Sequence, residues 1–291
     1  MTFRDETVLL GDRPVHRIGF GAMQLPGPGV FGPPPDRDAA IAVLRRAVEL
    51  GVDHIDTAQF YGPDVANELI HDALHPYPDH LVLVSKVGAR RDAHGGWIGA
   101  QAPEELRSAV VDNLRSLDVE RVDVVNLRRH DAGEVSLDEQ VDAMVALRDE
   151  GLIGAIGVSN VDLEQFAAVT RRTEVACVQN PYNLADRSSE AVLAACIEQG
   201  VPFVPFFPLG SAFASDNPVL GAPAIREVAG RLGATPAQVA LAWLLSRSPQ
   251  LLLIPGTSSP AHLEDNLAAA DLNLGEEDRS RLDAAGDVAT S

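Results

Sequence analysis

The sequence predicts an α/β fold, a (β/α)₈ TIM barrel with an N-terminal β-hairpin, formed as one domain over residues 1–291. Eight short apolar segments alternate with longer amphipathic ones, which is typical of strand–helix units. Several of the short segments are continuous apolar runs, as expected of parallel strands that are buried on both faces. No GxGxxG motif follows the first strand, so a closed barrel is favoured over a Rossmann sheet.

Start and stop signals divide the chain into elements. A hairpin is expected over 8–16, with its turn at Gly11 and Asp12. Asp36 is the expected N-cap of the first helix, and glycines end several helices. The predicted strands cover residues 17–21, 54–56, 81–86, 122–127, 155–159, 176–179, 202–207 and 251–255. The predicted helices cover residues 36–50, 65–74, 103–117, 137–150, 162–170, 190–199, 224–232, 236–246 and 262–270.

Composition and charge exclude several classes of partner. The chain carries 23 Lys and Arg against 42 Asp and Glu, a formal net charge of −19, which would repel nucleic acid and anionic membranes. The first seven residues form no apolar core, so we expect no secretory signal, and prolines interrupt the longest apolar segment, 201–214. The two cysteines have no metal-type spacing, so we expect a cytoplasmic protein with no disulfide and no metal.

Lys86 is the only lysine among the 23 basic residues. Arginine stays protonated in proteins, whereas lysine has a different shape and can lose its proton. Either this one lysine is present by chance, or the chemistry at this position needs an amine.

Polar side chains follow the predicted strands where a barrel places its chemistry, at their carboxyl ends. Asp56 and Tyr61 follow the second strand, and Lys86 ends the third. An ammonium lowers the pKa of a neighbouring phenol, and a carboxylate holds the ammonium charged. These three residues therefore form a candidate proton-transfer set in which Tyr61 delivers a proton near neutral pH.

Six motifs resemble the aldo-keto reductase family, in the family's order along the chain. They are Asp56-Thr-Ala-Gln-Phe-Tyr-Gly62, Val84-Ser-Lys-Val87, Gly157-Val-Ser-Asn160, Val178-Gln-Asn-Pro-Tyr-Asn183, Pro208-Leu-Gly210 and Ile254-Pro-Gly-Thr-Ser258. The resemblance implies a reductase that binds NADPH across the barrel mouth. It also implies that Tyr61 is the proton donor, Lys86 the partner that lowers its pKa, and Asp56 the carboxylate.

The resemblance also implies a set of cofactor contacts. Ser159, Asn160 and Gln179 would bind the nicotinamide carboxamide, and Phe206 replaces the tyrosine that usually stacks on the ring. Gly256 and His262 occupy positions where many members have Lys and Arg, so Ser258, Ser259 and His262 would hold the 2′-phosphate. The remaining expected cofactor contacts are Gly21, Ala22, Met23, Pro208, Leu209, Gly210, Thr257 and Asn266.

The family's usual histidine at the end of strand four is replaced here by Arg128. We expect Arg128 to act as a fixed cation near the substrate oxygen. Two alternatives are that Arg128 pairs with a loop carboxylate, and that His130, two residues further on, takes the histidine's place.

Within the family, the segments 21–34, 123–128, 204–210 and 253–259 resemble the bacterial pyridoxal reductases. That resemblance implies a small aldehyde substrate, pyridoxal, reduced to pyridoxine. Phe31, Phe60 and Trp97 would then contact the ring. Its polar anchors would be Gln24, Gln59 and Arg128.

Two other classes of protein stay open at this stage. A lone lysine at the end of a barrel strand also suits a Schiff-base aldolase, although Asp56 beside Lys86 would keep the amine charged. The other is a barrel that binds a dinucleotide without catalysis, which would need neither Tyr61 nor Lys86. The sequence determines neither the oligomeric state nor the direction of the reaction.

Overall fold

A parallel sheet of seven strands forms the centre of the molecule. The computed structural model describes residues 3–130, 135–210 and 217–287. In chain order the sheet strands are β3 (Phe20–Gly21), β4 (His54–Asp56), β5 (Val82–Val87), β8 (Val122–Arg128), β9 (Ile153–Ser159), β10 (Val178–Pro181) and β11 (Phe203–Phe206). Each pairs with its neighbour in the order β3-β4-β5-β8-β9-β10-β11. Two antiparallel hairpins stand apart, made of β1 (Thr7–Leu10) with β2 (Arg13–His16) and β6 (Ala89–Arg91) with β7 (Trp97–Gly99).

Helices follow the sheet strands, as the alternating sequence pattern predicted. They are α1 (Arg37–Glu49), α2 (Val65–Leu74), α3 (Pro103–Leu117), α4 (Leu137–Asp149), α5 (Leu163–Thr170), α6 (Glu190–Gln199), α7 (Pro223–Leu232), α8 (Pro236–Arg247), α9 (Pro260–Ala268) and α10 (Glu276–Asp287). The predicted cap of α1 is confirmed, because the Asp36 carboxylate accepts the N–H of Ala39 at 2.9 Å. No helix in the described part of the chain is long and apolar enough to cross a membrane.

The segment 251–253 closes the sheet into a barrel. Leu253 pairs in parallel with Ile18 beside β3, and Leu251 pairs with Phe203 of β11. The N–H of Leu253 donates to the Arg17 carbonyl at 2.8 Å. The predicted eighth strand, 251–255, is therefore present as a short bridging segment that ends before Pro255, which has no N–H to continue a ladder. The predicted (β/α)₈ barrel is confirmed.

The β1–β2 hairpin plugs the amino-terminal end of the barrel. Its side chains Val8, Leu10 and Val15 join a buried apolar cluster with residues that alternate along the strands. Those partners are Val82, Val84, Val124, Cys177, Val204 and Leu252. Successive side chains of a strand point to opposite faces of the sheet, so every second residue of each strand points into the barrel. Near the carboxyl ends of the strands these inward-pointing residues are polar.

A β-hairpin and an α-helix lie where the sequence predicted neither. The β6–β7 hairpin has strands of three residues each, joined by a turn in which Asp92 accepts the N–H groups of His94 and Gly96. Strands this short carry too few residues for an alternating pattern to be recognised. Helix α10 is rich in charged residues and presents little apolar periodicity, although its Leu282 is fully buried.

Arg17 is buried at the seam of the barrel, which is the place where the segment 251–253 pairs with the chain beside β3. Its guanidinium donates to the carbonyls of Leu245 at 2.8 Å and Leu251 at 3.1 Å, and forms an ion pair with Glu6 at 2.7 Å. Burial lowers the pKa of the Arg17 guanidinium, and Glu6 opposes that effect.

We expect Arg17→Leu to lower the free energy of unfolding by about 2–4 kcal/mol, because buried carbonyls lose their donors and Glu6 loses its cation. Urea denaturation measures the change. The control is Arg46→Leu, since Arg46 is an exposed arginine in a surface ion pair and should contribute little. Equal losses for the two variants would contradict the role given to the seam.

Candidate active site

A cavity of about 270 Å³ opens at the carboxyl end of the barrel strands. Most of the residues predicted for the site line it. They are Gly21, Met23, Gln24, Asp56, Phe60, Tyr61, Lys86, Trp97, Arg128, Gln179, Phe206, Pro208, Leu209, Gly210 and Gly256. His130, the alternative to Arg128, lines the cavity as well, and the structure adds Phe207, Ile254 and Pro255 to the wall.

Strand parity explains why these side chains meet. In β5, Val82 and Val84 lie four and two residues before Lys86 and point into the barrel below it. Register then sets the neighbours, since Lys86 lies opposite Asn126 and Arg128 lies opposite Ser159. A shift by one residue in any strand would turn its polar end away from the cavity.

Lys86 and Asp56 form a buried ion pair at the floor of the cavity. The Lys86 ammonium donates to Asp56 Oδ1 and, at 2.9 Å, to the carbonyl of Thr57. The other carboxylate oxygen of Asp56 accepts the side-chain amide of Gln179 at 2.9 Å. Burial is the largest single effect and lowers the pKa of Lys86, but the charge and hydrogen bond of Asp56, together with Tyr61, outweigh it and hold that pKa above its usual value.

Tyr61 lies next to this pair and is only 6% exposed. The Lys86 Nζ atom is 5.0 Å from the centre of the Tyr61 ring. Burial raises the pKa of the phenol, the Lys86 ammonium lowers it, and the net direction is upward. The Lys86 ammonium acts in the direction that the sequence analysis expected, but the loss of solvent around the buried phenol outweighs it.

Arg128 is a cation on the cavity wall with no carboxylate partner among the residues described. Its guanidinium donates to the Ser159 hydroxyl at 3.3 Å and lies 5.3 Å from the centre of the Phe206 ring. Burial lowers its pKa, with Tyr61 opposing. A buried arginine normally has a paired anion, so an arginine that faces a cavity without one indicates a place for a negatively charged or polar ligand group.

His130 also lines the cavity, so the structure keeps both candidates for the missing family histidine. Strand β8 ends at Arg128, but its pairing continues one residue further, because the N–H of Arg129 donates to the Ser159 carbonyl at 2.8 Å. The chain therefore remains extended as far as Arg129. That is the condition under which His130 could reach the mouth.

A buried polar network supports the floor of the cavity from outside the barrel. The Thr57 hydroxyl donates to the side-chain carbonyl of Asn67 in α2 at 2.8 Å. The Asn67 amide donates to Asn113 in α3 at 3.0 Å, and Asn113 also accepts the Ser85 hydroxyl at 2.5 Å. Thr57 and Ser85 flank Asp56 and Lys86 in the chain. The sequence analysis missed this network, for which two asparagines on apolar helix faces were the available signal.

An aromatic group forms the outer wall on the side of the β6–β7 hairpin. Trp97 meets the edge of Phe60 with ring centres 5.6 Å apart, and the Arg91 guanidinium lies 4.0 Å from the Trp97 ring centre. Arg91 also donates to the carbonyls of Gly29 and Val30, which ties the hairpin to the loop after β3. Phe31 is 36% exposed and does not line the cavity, although Arg91 lies 5.4 Å from its ring centre. Arg91 was missed because its role depends on the unpredicted hairpin.

Several predicted ligand contacts use their polar atoms within the protein. The Gln179 amide donates one of its two N–H groups to Asp56. The Asn160 amide donates to the Arg129 carbonyl at 3.0 Å, and Gln59 donates to Asp64 at 3.1 Å, away from the cavity. The predicted contacts that do not line the cavity are Ala22, Ser159, Asn160, Thr257, Ser258, Ser259, His262, Asn266, Phe31 and Gln59.

The region predicted for the adenosine end forms a loop and the start of α9. The Ser259 hydroxyl caps α9 by accepting the N–H of His262 at 3.4 Å, and Thr257 accepts the N–H of Ser259 at 3.0 Å. A Cβ at Gly256 would lie 2.5 Å from the carbonyl oxygen of Gly21. This close approach of two backbones explains why Gly256 carries no lysine. Ser258 and His262 are exposed, whereas Asn266 is buried.

The fold and the cavity together define a class of protein. The site combines a tyrosine, a buried Asp–Lys pair beside it and a second cation that faces the same cavity. This set of side chains is suited to an enzyme that donates a proton to a substrate oxygen. The barrel mouth is also the usual place for such chemistry.

Comparison with known proteins agrees with that class. A model of the aldo/keto reductase family matches residues 17–287. Pyridoxine 4-dehydrogenase of Escherichia coli K12 is 50% identical over 95% of this chain and 97% of its own. An uncharacterized oxidoreductase of Schizosaccharomyces pombe is 39% identical over 96% of this chain and 90% of its own length. An aldo/keto reductase of Klebsiella pneumoniae, solved with NADP and acetate, superimposes with a TM-score of 0.82 at 31% identity, covering 96% of this chain and 94% of that one. The chain belongs to the aldo/keto reductase family.

We expect the Tyr61 phenol to titrate above the ordinary tyrosine value of about 10, and Lys86→Met to raise its pKa further by removing the ammonium. The carbon-13 NMR signal of the Tyr61 Cζ atom measures both, since the chain has 3 tyrosines and each Tyr→Phe variant assigns one signal. Tyr77 serves as the internal control and should not respond to Lys86→Met. A Tyr61 midpoint below 10 would contradict the dominance of burial.

Proposed function

We propose that this chain is an NADPH-dependent reductase of small aldehydes and that its substrate is pyridoxal, reduced to pyridoxine. The observation that carries the proposal is the buried Lys86–Asp56 pair beside Tyr61, with Arg128 facing the same cavity. The 50% identity to a pyridoxine 4-dehydrogenase supports the substrate, and the NADP complex of the K. pneumoniae relative supports the cofactor.

In this proposal Tyr61 donates the proton to the substrate oxygen. Lys86 stays charged because Asp56 is bonded to it, and its charge stabilises the phenolate that Tyr61 becomes. Asp56 is held in turn by Gln179, so the pair cannot rotate away from the phenol. The Thr57 carbonyl fixes the remaining direction of the ammonium. Tyr61 is the general acid. The other residues position it and stabilise the phenolate that it becomes.

The residues at the mouth fit a dinucleotide. Phe206 offers an aromatic face on the cavity wall, in place of the family's tyrosine, and stacking needs only that face. The first turn of α9 contains no acidic residue, so its N-terminus, with Ser258 and His262 exposed beside it, suits a 2′-phosphate. When bound, NADPH supplies a hydride to the carbonyl carbon, which leaves negative charge on the carbonyl oxygen.

Arg128 is proposed to bind that oxygen. Its charge is permanent, and its parallel N–H groups can hold two oxygens at once. Pyridoxal has a phenolic oxygen next to its aldehyde, so a single guanidinium can bind both. Trp97 and Phe60 on the cavity wall supply apolar contact for the ring.

The alternative of a Schiff-base aldolase is disfavoured by the state of Lys86. An amine must be neutral to attack a carbonyl, and Asp56 raises the pKa of Lys86 instead. A binding barrel without catalysis would have no use for the Tyr61–Lys86 contact.

Two further features belong to the proposal. The barrel elements extend from Thr7 to Asp287, which supports one domain over 1–291. Cys177 and Cys196 are both buried free thiols, which supports a reducing compartment such as the cytoplasm.

A rate screen tests the proposal directly. NADPH oxidation is followed with pyridoxal, benzaldehyde and a simple ketone, and we expect turnover to be fastest with pyridoxal. A parallel sample receives borohydride and pyridoxal without cofactor, and its mass is measured. A reduced adduct on Lys86 together with no NADPH oxidation would favour the aldolase.

Tyr61→Phe should keep NADPH affinity and lose ~10²–10⁴-fold in kcat, because the phenol supplies only the proton. Fluorescence titration measures the affinity and steady-state kinetics the rate. Tyr182→Phe is the matched control, since Tyr182 is buried against α6 and α8, where it bonds to Glu190 and stacks on Trp243. Turnover at the parent rate by Tyr61→Phe would remove Tyr61 from the reaction.

Lys86→Arg should be nearly as damaging to kcat as Lys86→Met, although it keeps the positive charge. The planar guanidinium is wider than the ammonium and cannot fit between Asp56 and the Thr57 carbonyl, where Lys86 is 3% exposed. The pH–rate profile of both variants is the measurement. A near-normal profile for Lys86→Arg would show that charge alone suffices.

Arg128→His should reduce kcat/KM for pyridoxal about 10-fold more than for benzaldehyde, which lacks the neighbouring oxygen, because histidine cannot reproduce the paired donors. Arg128→Leu should reduce kcat/KM for both aldehydes. A parallel fall for the two aldehydes in Arg128→His would limit Arg128 to the reacting oxygen. If kcat/KM does not fall at all, His130→Gln becomes the variant that identifies the donor.

A further inference from the structure

Three potential metal-ligating side chains converge at the end of the barrel opposite the cavity. His71 lies in the last turn of α2, His75 directly follows that helix, and Asp118 directly follows α3. The donor atoms of the three residues all lie within 4.8 Å of one another. Within residues 3–130, 135–210 and 217–287, no other group of three or more such side chains comes this close.

The distances leave space between the donor atoms. The Nε2 atoms of His71 and His75 each lie 3.8 Å from the same oxygen, Asp118 Oδ2. That is too long for a hydrogen bond. The two imidazole rings are stacked with centres 4.8 Å apart, because the N–H of His75 donates to the His71 carbonyl and keeps the spacing of one helical turn. Both Nε2 atoms therefore face a shared gap beside one carboxylate oxygen.

A second carboxylate orients the first imidazole. The Nδ1 atom of His71 lies 3.1 Å from Asp72 Oδ1, and Asp72 is itself held by Arg37. A carboxylate at Nδ1 places the proton there and leaves the Nε2 lone pair free. A carboxylate–histidine pair of this kind is the usual outer support of a metal-bound imidazole.

Tyr77 connects the two ends that carry the ligands. The edge of its ring meets His75 with ring centres 5.4 Å apart. Its hydroxyl donates to the carbonyl of Leu117, the residue before Asp118, at 2.7 Å. The loop after α2 is thus fixed to the end of α3, so the backbone segments that carry the three ligands are held together without any ion.

We propose that His71, His75 and Asp118 bind one divalent transition-metal ion with the ligand preferences of Zn²⁺. Water would complete the coordination of the ion. Two imidazole nitrogens and one carboxylate oxygen suit Zn²⁺, whereas Mg²⁺ and Ca²⁺ take oxygen ligands. Bonds of about 2.0–2.1 Å in a tetrahedron put ligand atoms about 3.3 Å apart. Each imidazole nitrogen must therefore approach Asp118 Oδ2 by about 0.5 Å, and the two nitrogens, which lie within 4.8 Å of each other, must close by at most about 1.5 Å. All three side chains are at least one-third exposed, so they are free to make that adjustment.

The bound ion would join the end of α2 to the end of α3. The site is separate from the cavity at the barrel mouth, and its ligands share no residue with the proposed reductase machinery. Its expected effect is therefore on stability and not on the reaction, because an ion that binds only the folded chain shifts unfolding to higher temperature.

Calorimetric titration of ZnCl₂ into the metal-stripped protein tests the proposal. We expect one Zn²⁺ per chain, an affinity about 10-fold weaker in Asp72→Asn, which removes only the outer support, and at least 100-fold weaker in His71→Gln/His75→Gln. His94→Gln is the matched control, an exposed histidine outside the cluster that should leave binding unchanged. Unfolding temperatures without metal verify that each variant is folded.

Two further readouts separate this site from the cysteines and from weak surface binding. Zn²⁺ should raise the unfolding temperature of the parent protein and of His94→Gln but not of the double variant. Bound Co²⁺ should give weak visible bands without the strong near-ultraviolet band of a thiolate ligand. Unchanged Zn²⁺ affinity in the double variant, or no saturable binding up to millimolar ZnCl₂, would overturn the proposal.

Discussion

Closure of the parallel sheet by the segment 251–253 is the constraint on which the rest of the structure depends. The pairing of Leu253 with Ile18 and of Leu251 with Phe203 joins the two edge strands, β3 and β11. In an open sheet the ends of these strands would lie far apart. In the barrel their carboxyl ends surround one cavity, so Gly21, Asp56 and Phe206 face the same space.

Burial of charge gives that cavity its chemical character. Lys86 and Asp56 are paired inside the barrel, and each makes one further hydrogen bond, Lys86 to the Thr57 carbonyl and Asp56 to the Gln179 amide. Arg128 has a hydroxyl and an aromatic ring beside it but no anion among the described residues. Lys86 and Asp56 therefore stabilise each other within the protein, whereas Arg128 can gain a favourable interaction when a ligand oxygen binds. This contrast separates the residues that position the proton donor from the residue proposed to hold the substrate.

Much of the fold was predictable because its signals are local. Strand β5 carries a continuous apolar run, and α1 has a capping aspartate, so each could be recognised within a short window. The β6–β7 hairpin and α10 were missed because their stability comes from contacts made elsewhere in the chain. Trp97, for example, is held by Phe60 and by Arg91, and Arg91 in turn bonds to the loop after β3.

The sequence by itself determined which chemical groups stand at the strand ends, including the single lysine, and the order in which they occur. Tertiary structure alone decided what those groups do to one another. It directs the Gln179 amide to Asp56, raises the pKa of Tyr61 against the effect of Lys86, and brings Asp118 to within 3.8 Å of the imidazoles of His71 and His75. The physical reason is that strand parity and helix capping are set by near neighbours in the chain, whereas desolvation, charge pairing and ligand convergence depend on residues that only the closed barrel brings together.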